Sequence, residues 1–285
     1  MRKIQTNDNS FLMSLQNDYA FRALLGEERN KPVLADLLRA IISDPVENIT
    51  LMNTHMTRGF EPEKEPILDI RASIAPNVQV DIEMQGWPFH AMPRRSIYYW
   101  SRIFANLQVG KGYDTLNRVI AINILNYSII PIQDIHFCFQ IREKENGYKL
   151  SDVLEIHVIE LPKIHVIKEQ GNNSHLIQWI RFLRAETEKE LIMAAEGNVA
   201  LKKAYQELKN ISKDEQARWE YEKREIFLMD QITLKNEGRR EGLQEGIETT
   251  KFQTVKNMIE MGFDDTTIAK ATELTPEEIK KIRES

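Results

Sequence analysis

The sequence predicts an α/β protein: a mixed β-sheet flanked by helices, followed by an all-helical C-terminal region. Three observations predict it. Segments of strand character crowd between residues 48 and 165. One of them, Val119 to Leu125, is a continuous apolar run, as in a strand covered on both faces. After Asn173 the spacing of apolar residues turns helical almost to the end of the chain. These changes of character divide the chain into 1–165, a sheet domain, 166–235, a helical extension, and 236–285, a repeat helix with a small helical unit.

In chain order, Asp18 to Ile42 has helical periodicity with a break at Gly26 to Pro32, and Pro32 suits the first turn of a second helix. Ile49 to Met56 reads as a short strand, and Glu61 to Glu65 as a charged loop. Ile67 to Ala75 and Val78 to Gln85 read as two strands joined at Pro76-Asn77, a hairpin. Arg94 to Val109 is predicted helical and ends at Gly110 and Gly112. Further strands are expected at Ile135 to Ile141 and Leu154 to Leu161. Helices follow at His175 to Ala185, Glu188 to Ala195, Gly197 to Ser212 and Asp214 to Lys235.

The pairs Glu237-Gly238, Glu241-Gly242 and Glu245-Gly246 then recur every four residues. This puts small residues on one helix face at a cost of about 1 kcal/mol per glycine, so a flexible or partner-dependent helix is expected. Three short helices, 252–261, 264–272 and 275–283, close the chain. Thr275-Pro276-Glu277-Glu278 is a strong helix start. This unit resembles a helix-turn-helix, but its last helix mixes Glu277, Glu278 and Glu284 with Lys280, Lys281 and Arg283, which suits a DNA groove poorly.

The 285 residues carry a formal net charge of -5, with 42% apolar and 28% charged residues. Bulk charge therefore repels nucleic acid, and any DNA contact has to come from a local basic patch. No stretch approaches the ~20 apolar residues of a membrane span, and the N-terminus lacks a signal-peptide core, so a cytoplasmic protein without membrane contact is expected. The single cysteine, Cys138, lies in an apolar run and is expected to be a buried core thiol. A reactive thiol would need a base beside it, and the nearby His136 is expected on the opposite strand face. The histidines show no metal-ligand spacing such as HExxH.

The informative segment is Val80-Asp81-Ile82-Glu83-Met84-Gln85, where polar and apolar residues alternate strictly. Period two places Asp81, Glu83 and Gln85 on one strand face. On the preceding strand Asp69 sits among apolar neighbours, and a hairpin sets it opposite Glu83. Two such carboxylates repel unless a cation bridges them or one is protonated. A hard divalent ion such as Mg²⁺ suits them. The other reading of the same alternation is a solvent-facing polar edge. Between Trp87 and Tyr113 there is no acid, while Arg94, Arg95, Arg102 and Lys111 occur among Tyr98, Tyr99, Trp100 and Phe104. Those cations either hold DNA phosphates or form a solvated face, and the aromatics read as core.

Ordered pieces of the chain carry a resemblance. They include Asn17-Asp18-Tyr19-Ala20-Phe21-Arg22, Leu68-Asp69-Ile70, Ile82-Glu83-Met84-Gln85, Arg95-Ser96-Ile97-Tyr98-Tyr99-Trp100-Ser101 and Ile122-Asn123-Ile124-Leu125. Leu154-Glu155-Ile156-His157, Glu160-Leu161-Pro162-Lys163, the Glu-Gly repeat and Ile268-Ala269-Lys270-Ala271-Thr272 follow. Together they resemble the Rpn recombination-promoting nucleases, also described as PD-(D/E)XK nuclease family transposases.

The resemblance implies a restriction-endonuclease-like (PD-(D/E)XK) fold and a bacterial, metal-dependent DNA endonuclease of low sequence specificity, linked to recombination, mobile elements or phage defence. It implies Asp69, Glu83 and the Met84 carbonyl as ligands for Mg²⁺, or for Mn²⁺ or Ca²⁺. Asp69, Glu83 and Gln85 are then catalytic, and Asp18 is either an additional acid or a plain helix cap. Gln85 stands where the wider superfamily has lysine, which leaves open a scaffold that binds DNA or protein without cleaving. The C-terminal helices suit a homo-oligomer.

Overall fold

The computed structural model describes residues 3–52, 69–88, 90–105, 112–165 and 174–284. The helices are α1 (Asp18–Leu25), α2 (Lys31–Ile41), α3 (Met92–Phe104), α4 (Ser174–Arg184), α5 (Glu188–Ala194), α6 (Val199–Lys213), α7 (Glu215–Glu260), α8 (Asp265–Thr272) and α9 (Pro276–Glu284). The strands are β1 (Thr50–Leu51), β2 (Ile70–Ala75), β3 (Val78–Gln85), β4 (Arg118–Leu125), β5 (His136–Gln140) and β6 (Leu154–Glu160). They form one mixed sheet in the order β1-β2-β3-β4-β6-β5. β3 and β6 flank β4 in parallel, while β2 and β5 run antiparallel to their neighbours. The predicted α/β class with a mixed sheet holds.

The hairpin forms as predicted, with a register shift between Ser73 and Ala75 where the Ser73 hydroxyl donates to the Ala75 carbonyl. Several bounds differ, and three bear on the site and its surroundings. β1 is only Thr50–Leu51, and the rest of the strand expected to Met56 lies mostly outside the described residues, as does the charged loop 61–65. β2 starts at Ile70, so Asp69 precedes the strand and residues 67–68 are outside the description. α3 starts two residues early, at Met92, because Pro93 fits the first helical turn, where no backbone N–H is needed.

Two apolar cores lie on the two sides of the sheet. Val80, Ile82, Met84, Ile120, Ile122 and Ile124 pack against α1, α2, α4 and α6 through Phe21, Leu34, Trp179 and Leu208. On the other side Val119, Ala121, Leu125, Ile156 and Val158 meet Met92, Trp100 and Ile103 of α3. Trp179, Leu201 and Tyr221 belong to the first core, so helices beyond residue 165 close the same interior as the sheet.

The chain divides into two compact units, Met1–Glu225 and Ile226–Ser285. α7 is continuous through the Glu-Gly repeat, where separate helices at 214–235 and 252–261 were expected. The repeat glycines lower propensity, but no proline interrupts the segment, and a Cβ at Gly238, Gly242 or Gly246 would meet only open space. In the second unit Val255, Ile268 and Ile279 form a small core of their own. The capping box at its last helix is made as predicted: Thr275 Oγ1 accepts from the Glu278 N–H, and Glu278 Oε2 accepts from the Thr275 N–H.

Candidate active site

β3 lies in the middle of the sheet, and α3 covers its polar face. Asp81 and Glu83 are only 3% and 4% exposed. The reading of the alternation as a solvent-facing polar edge therefore fails, because a helix caps the face that the pattern marks as polar. Next to Glu83 in register, Asn123 of β4 accepts at Oδ1 from the Ser96 hydroxyl of α3 at 2.8 Å, which pins the helix over this face.

Glu83 Oε2 accepts from Gln85 Nε2 at 2.9 Å and lies 3.3 Å from Arg95 Nη2. Among the described residues its second oxygen, Oε1, has no hydrogen-bond donor, and neither has Asp81 Oδ1. Buried acceptors left without donors cost about 1–3 kcal/mol each, more when charged.

The register pairs Ile70 with Ile82, so the next rung sets Asp69 beside Glu83 as predicted. Asp69 Oδ2 accepts from the Met84 N–H at 2.8 Å, a donor that a longer β2 would have taken. A strand residue sends its N–H and C=O to the same side, so the Met84 carbonyl opens toward the Asp69 edge too.

Asp18 is not the cap of α1. Asn17 is, with its side-chain oxygen accepting from the N–H groups of Tyr19 and Ala20. Asp18, first residue of the helix, pairs instead with Arg224 of α7, whose Nε lies 2.8 Å from each carboxylate oxygen. Arg224 was missed in the sequence because a charged helical run offers no signal to distinguish one arginine from its neighbours. Asn17 Nδ2 donates to Glu225 Oε1 at 2.8 Å, a second tie between the same two helices.

Burial, reinforced by the charges of Asp18 and Glu83, holds the Asp69 carboxyl well above the ordinary carboxylate range. Burial and the Glu83 and Asp69 charges do the same to Asp81. Glu83 is raised by burial although Arg95 pulls the other way. Arg22 acts on Asp69, and Arg71 with Arg95 on Asp81, yet the carboxyls of Asp69, Asp81 and Glu83 all stay raised.

A family model of PD-(D/E)XK nuclease family transposases matches residues 15–238. The chain belongs to this family. No curated protein and no solved structure matches it. The matched span holds the whole acid cluster, from Asn17 and Asp18 to Arg224. Membership in the PD-(D/E)XK nuclease transposases implies nuclease-like activity and DNA as substrate. The six-stranded mixed sheet with flanking helices is consistent with their fold.

Of the four cations expected to hold DNA, Arg95 touches the cluster, with its guanidinium also 4.9 Å over the Tyr99 ring. Arg94 is exposed and Arg102 half-buried on α3, while Lys111 lies outside the described residues. The aromatics divide. Trp100 is core, donating Nε1–H to the Val119 carbonyl and stacking on Phe104 at 4.8 Å. Tyr98 is exposed.

Cys138 corrects two expectations. It is exposed rather than buried, because β5 is the outermost strand of the sheet. His136 shares its face, since the two are separated by two positions and not one. Desolvation around the sulfur, with Glu155 beside it, pushes the thiol up to about 11, which excludes a resting thiolate nucleophile. Among the described residues no helix is long and apolar enough to cross a membrane.

Proposed function

We propose that the chain is a divalent-cation-dependent DNA endonuclease with its cleavage centre at Asp69, Glu83 and the Met84 carbonyl. One observation carries the reading: buried carboxylate oxygens of Asp81 and Glu83 stand without donors beside a crowded Asp69. Among the described residues no donor meets those oxygens, and a hard cation would. The donors are all oxygen, which fits Mg²⁺, with Mn²⁺ or Ca²⁺ as substitutes. Such an ion, when bound, lowers the pKa of a water and stabilises charge on a phosphate.

The chain's own residues do the rest. Asp69 and Glu83 hold the ion, and the Asp69 carboxylate is oriented by the Met84 N–H. Arg95 and Arg224 supply the local positive charge that a chain of net charge -5 needs beside a phosphate. The Gln85 amide hydrogen-bonds a water but accepts no proton, so it positions the nucleophile without acting as its base. Recognition of the backbone by charge alone gives weak sequence preference. A bacterial role in recombination, mobile elements or phage defence, with the C-terminal helices joining copies of the chain, completes the reading.

A second reading has its own observation. Gln85 Nε2 donates to Glu83 Oε2, which ties the amide to the carboxylate and suits a nuclease-like scaffold that holds DNA without cutting. Supercoiled plasmid with Mg²⁺, Mn²⁺ or EDTA separates the two. The wild type is expected to nick with either ion and not with EDTA, and Glu83→Ala to lose at least about a hundred-fold. Wild type and variant equally inert while still retaining DNA would leave only the scaffold.

A further inference from the structure

Two short patterns that the cleavage centre does not use, His136-Phe137-Cys138 and Glu155-Ile156-His157, face each other across β5 and β6. Cys138 is directly opposite His157 in the antiparallel register. Period two then puts His136, Cys138, Glu155 and His157 on one face of the strand pair. The side chains are in contact. His157 Nε2 lies 2.8 Å from Glu155 Oε1, and His157 Nδ1 lies 2.7 Å from His136 Nε2. One ligand atom each from Cys138, Glu155 and His157 fall within 4.8 Å of one another.

We propose that this edge of the sheet is a binding site for a zinc-class cation, taking Cys138 Sγ, a His157 ring nitrogen and a Glu155 oxygen as donors. Sulfur with imidazole and carboxylate is a set for zinc or cobalt rather than magnesium, so the site is chemically distinct from the oxygen-only cluster on β3. Strand β4 separates the two.

The supporting residues suit the task. Glu155 is anchored by Arg118 Nη2 at 2.9 Å and Gln140 Nε2 at 3.0 Å, which leaves its other oxygen on His157. When His157 Nε2 takes the ion, its single ring proton resides on Nδ1 and is donated to His136 Nε2, whose own proton moves to Nδ1. His136 thus orients the ligand ring, as an outer partner does in known metal sites. The only proton released is that of the Cys138 thiol, which goes to solvent. Cys138 is exposed, so the ion reaches the sulfur without opening the fold. Bound there, it ties the edge strand β5 to β6.

The test is titration of the purified full chain with Co²⁺. The chain has one cysteine, so thiolate-to-cobalt absorption in the near ultraviolet reports this site whatever occupies β3. One equivalent of that band is expected, displaced by Zn²⁺, absent in Cys138→Ser and weakened at least about tenfold in His157→Gln. Zn²⁺ is also expected to slow alkylation of Cys138 in the folded wild type. Circular dichroism of both variants checks that they fold. A wild type with no band and no protection by Zn²⁺ overturns the site. A band unchanged in a folded His157→Gln overturns the donor set.

Discussion

β3 and β6 are the two parallel neighbours of β4, and each carries two buried carboxylates, yet the chain treats them in opposite ways. On β6, Glu155 is met by Arg118, Gln140 and His157, and the His157 bond above all holds it down to about 2. Glu160 Oε1 accepts from the N–H groups of Ile129 and Ile130, while Oε2 has no hydrogen-bond donor among the described residues but lies 2.5 Å from Lys163 Nζ, an ion pair. On β3, Asp81 and Glu83 keep oxygens with no donor, and their carboxyls are pushed upward. All four residues are less than a tenth exposed, although desolvation bears hardest on Asp81 and Glu83. What also differs is whether the fold supplies the counter-charge. A carboxylate that the fold answers holds structure together whether or not an ion joins it, as proposed at Glu155, whereas one with an unmet oxygen has capacity left for a partner from outside.

The comparison breaks most sharply at its two glutamates. Glu83→Gln is expected to lower Mg²⁺-dependent nicking at least about a hundred-fold while leaving the fold intact. Glu155→Gln is expected to keep nicking within a few-fold and to lower stability by about 1.5–3 kcal/mol, the worth of charge-assisted hydrogen bonds. Plasmid nicking beside urea unfolding measures both, and reversal of the two outcomes would end the distinction.

A smaller effect sharpens the β3 side. Asp81→Asn removes a buried charge whose Oδ1 meets no donor among the described residues, so in EDTA the variant is expected to be more stable than wild type by about 1 kcal/mol. Urea unfolding checks it, and a clear loss would mean that the Asp81 carboxylate has a partner after all.

The smallest effect extends the comparison to a third acid on another element. Asp36 of α2 would be raised by burial, but bonds from His175, Asn198 and Trp179 bring it below the ordinary carboxylate value. Its folded form therefore favours the ionised state. The stability it contributes is full above the unfolded value near about 4 and is lost as pH falls through that value toward the lower folded one. Asp36→Asn is expected to flatten that acid limb of a stability-against-pH curve without touching nicking.

Much of this was legible beforehand because it is local. Alternation over residues 80–85 and the turn at Pro76-Asn77 give the hairpin, and the capping box at Thr275 needs only four residues, but the register that sets Asp69 beside Glu83 depends on the shift between Ser73 and Ala75. The edge cluster on β5 and β6 was half legible. H-x-C and E-x-H each put two ligand-type residues on one strand face, but nothing in the chain says that those strands pair.

Sequence alone thus determined the class of fold, the hairpin and the strand face that carries Asp81 and Glu83, since each follows from periodicity and turn chemistry within a short segment. Tertiary structure decided which faces are dry and which charges are answered. The cover of α3 over β3, Arg224 reaching Asp18 from 206 residues away, and Cys138 left exposed on an outer strand are all matters of long-range packing. Burial and counter-charge depend on elements far apart in the chain, and no local pattern encodes where those elements meet.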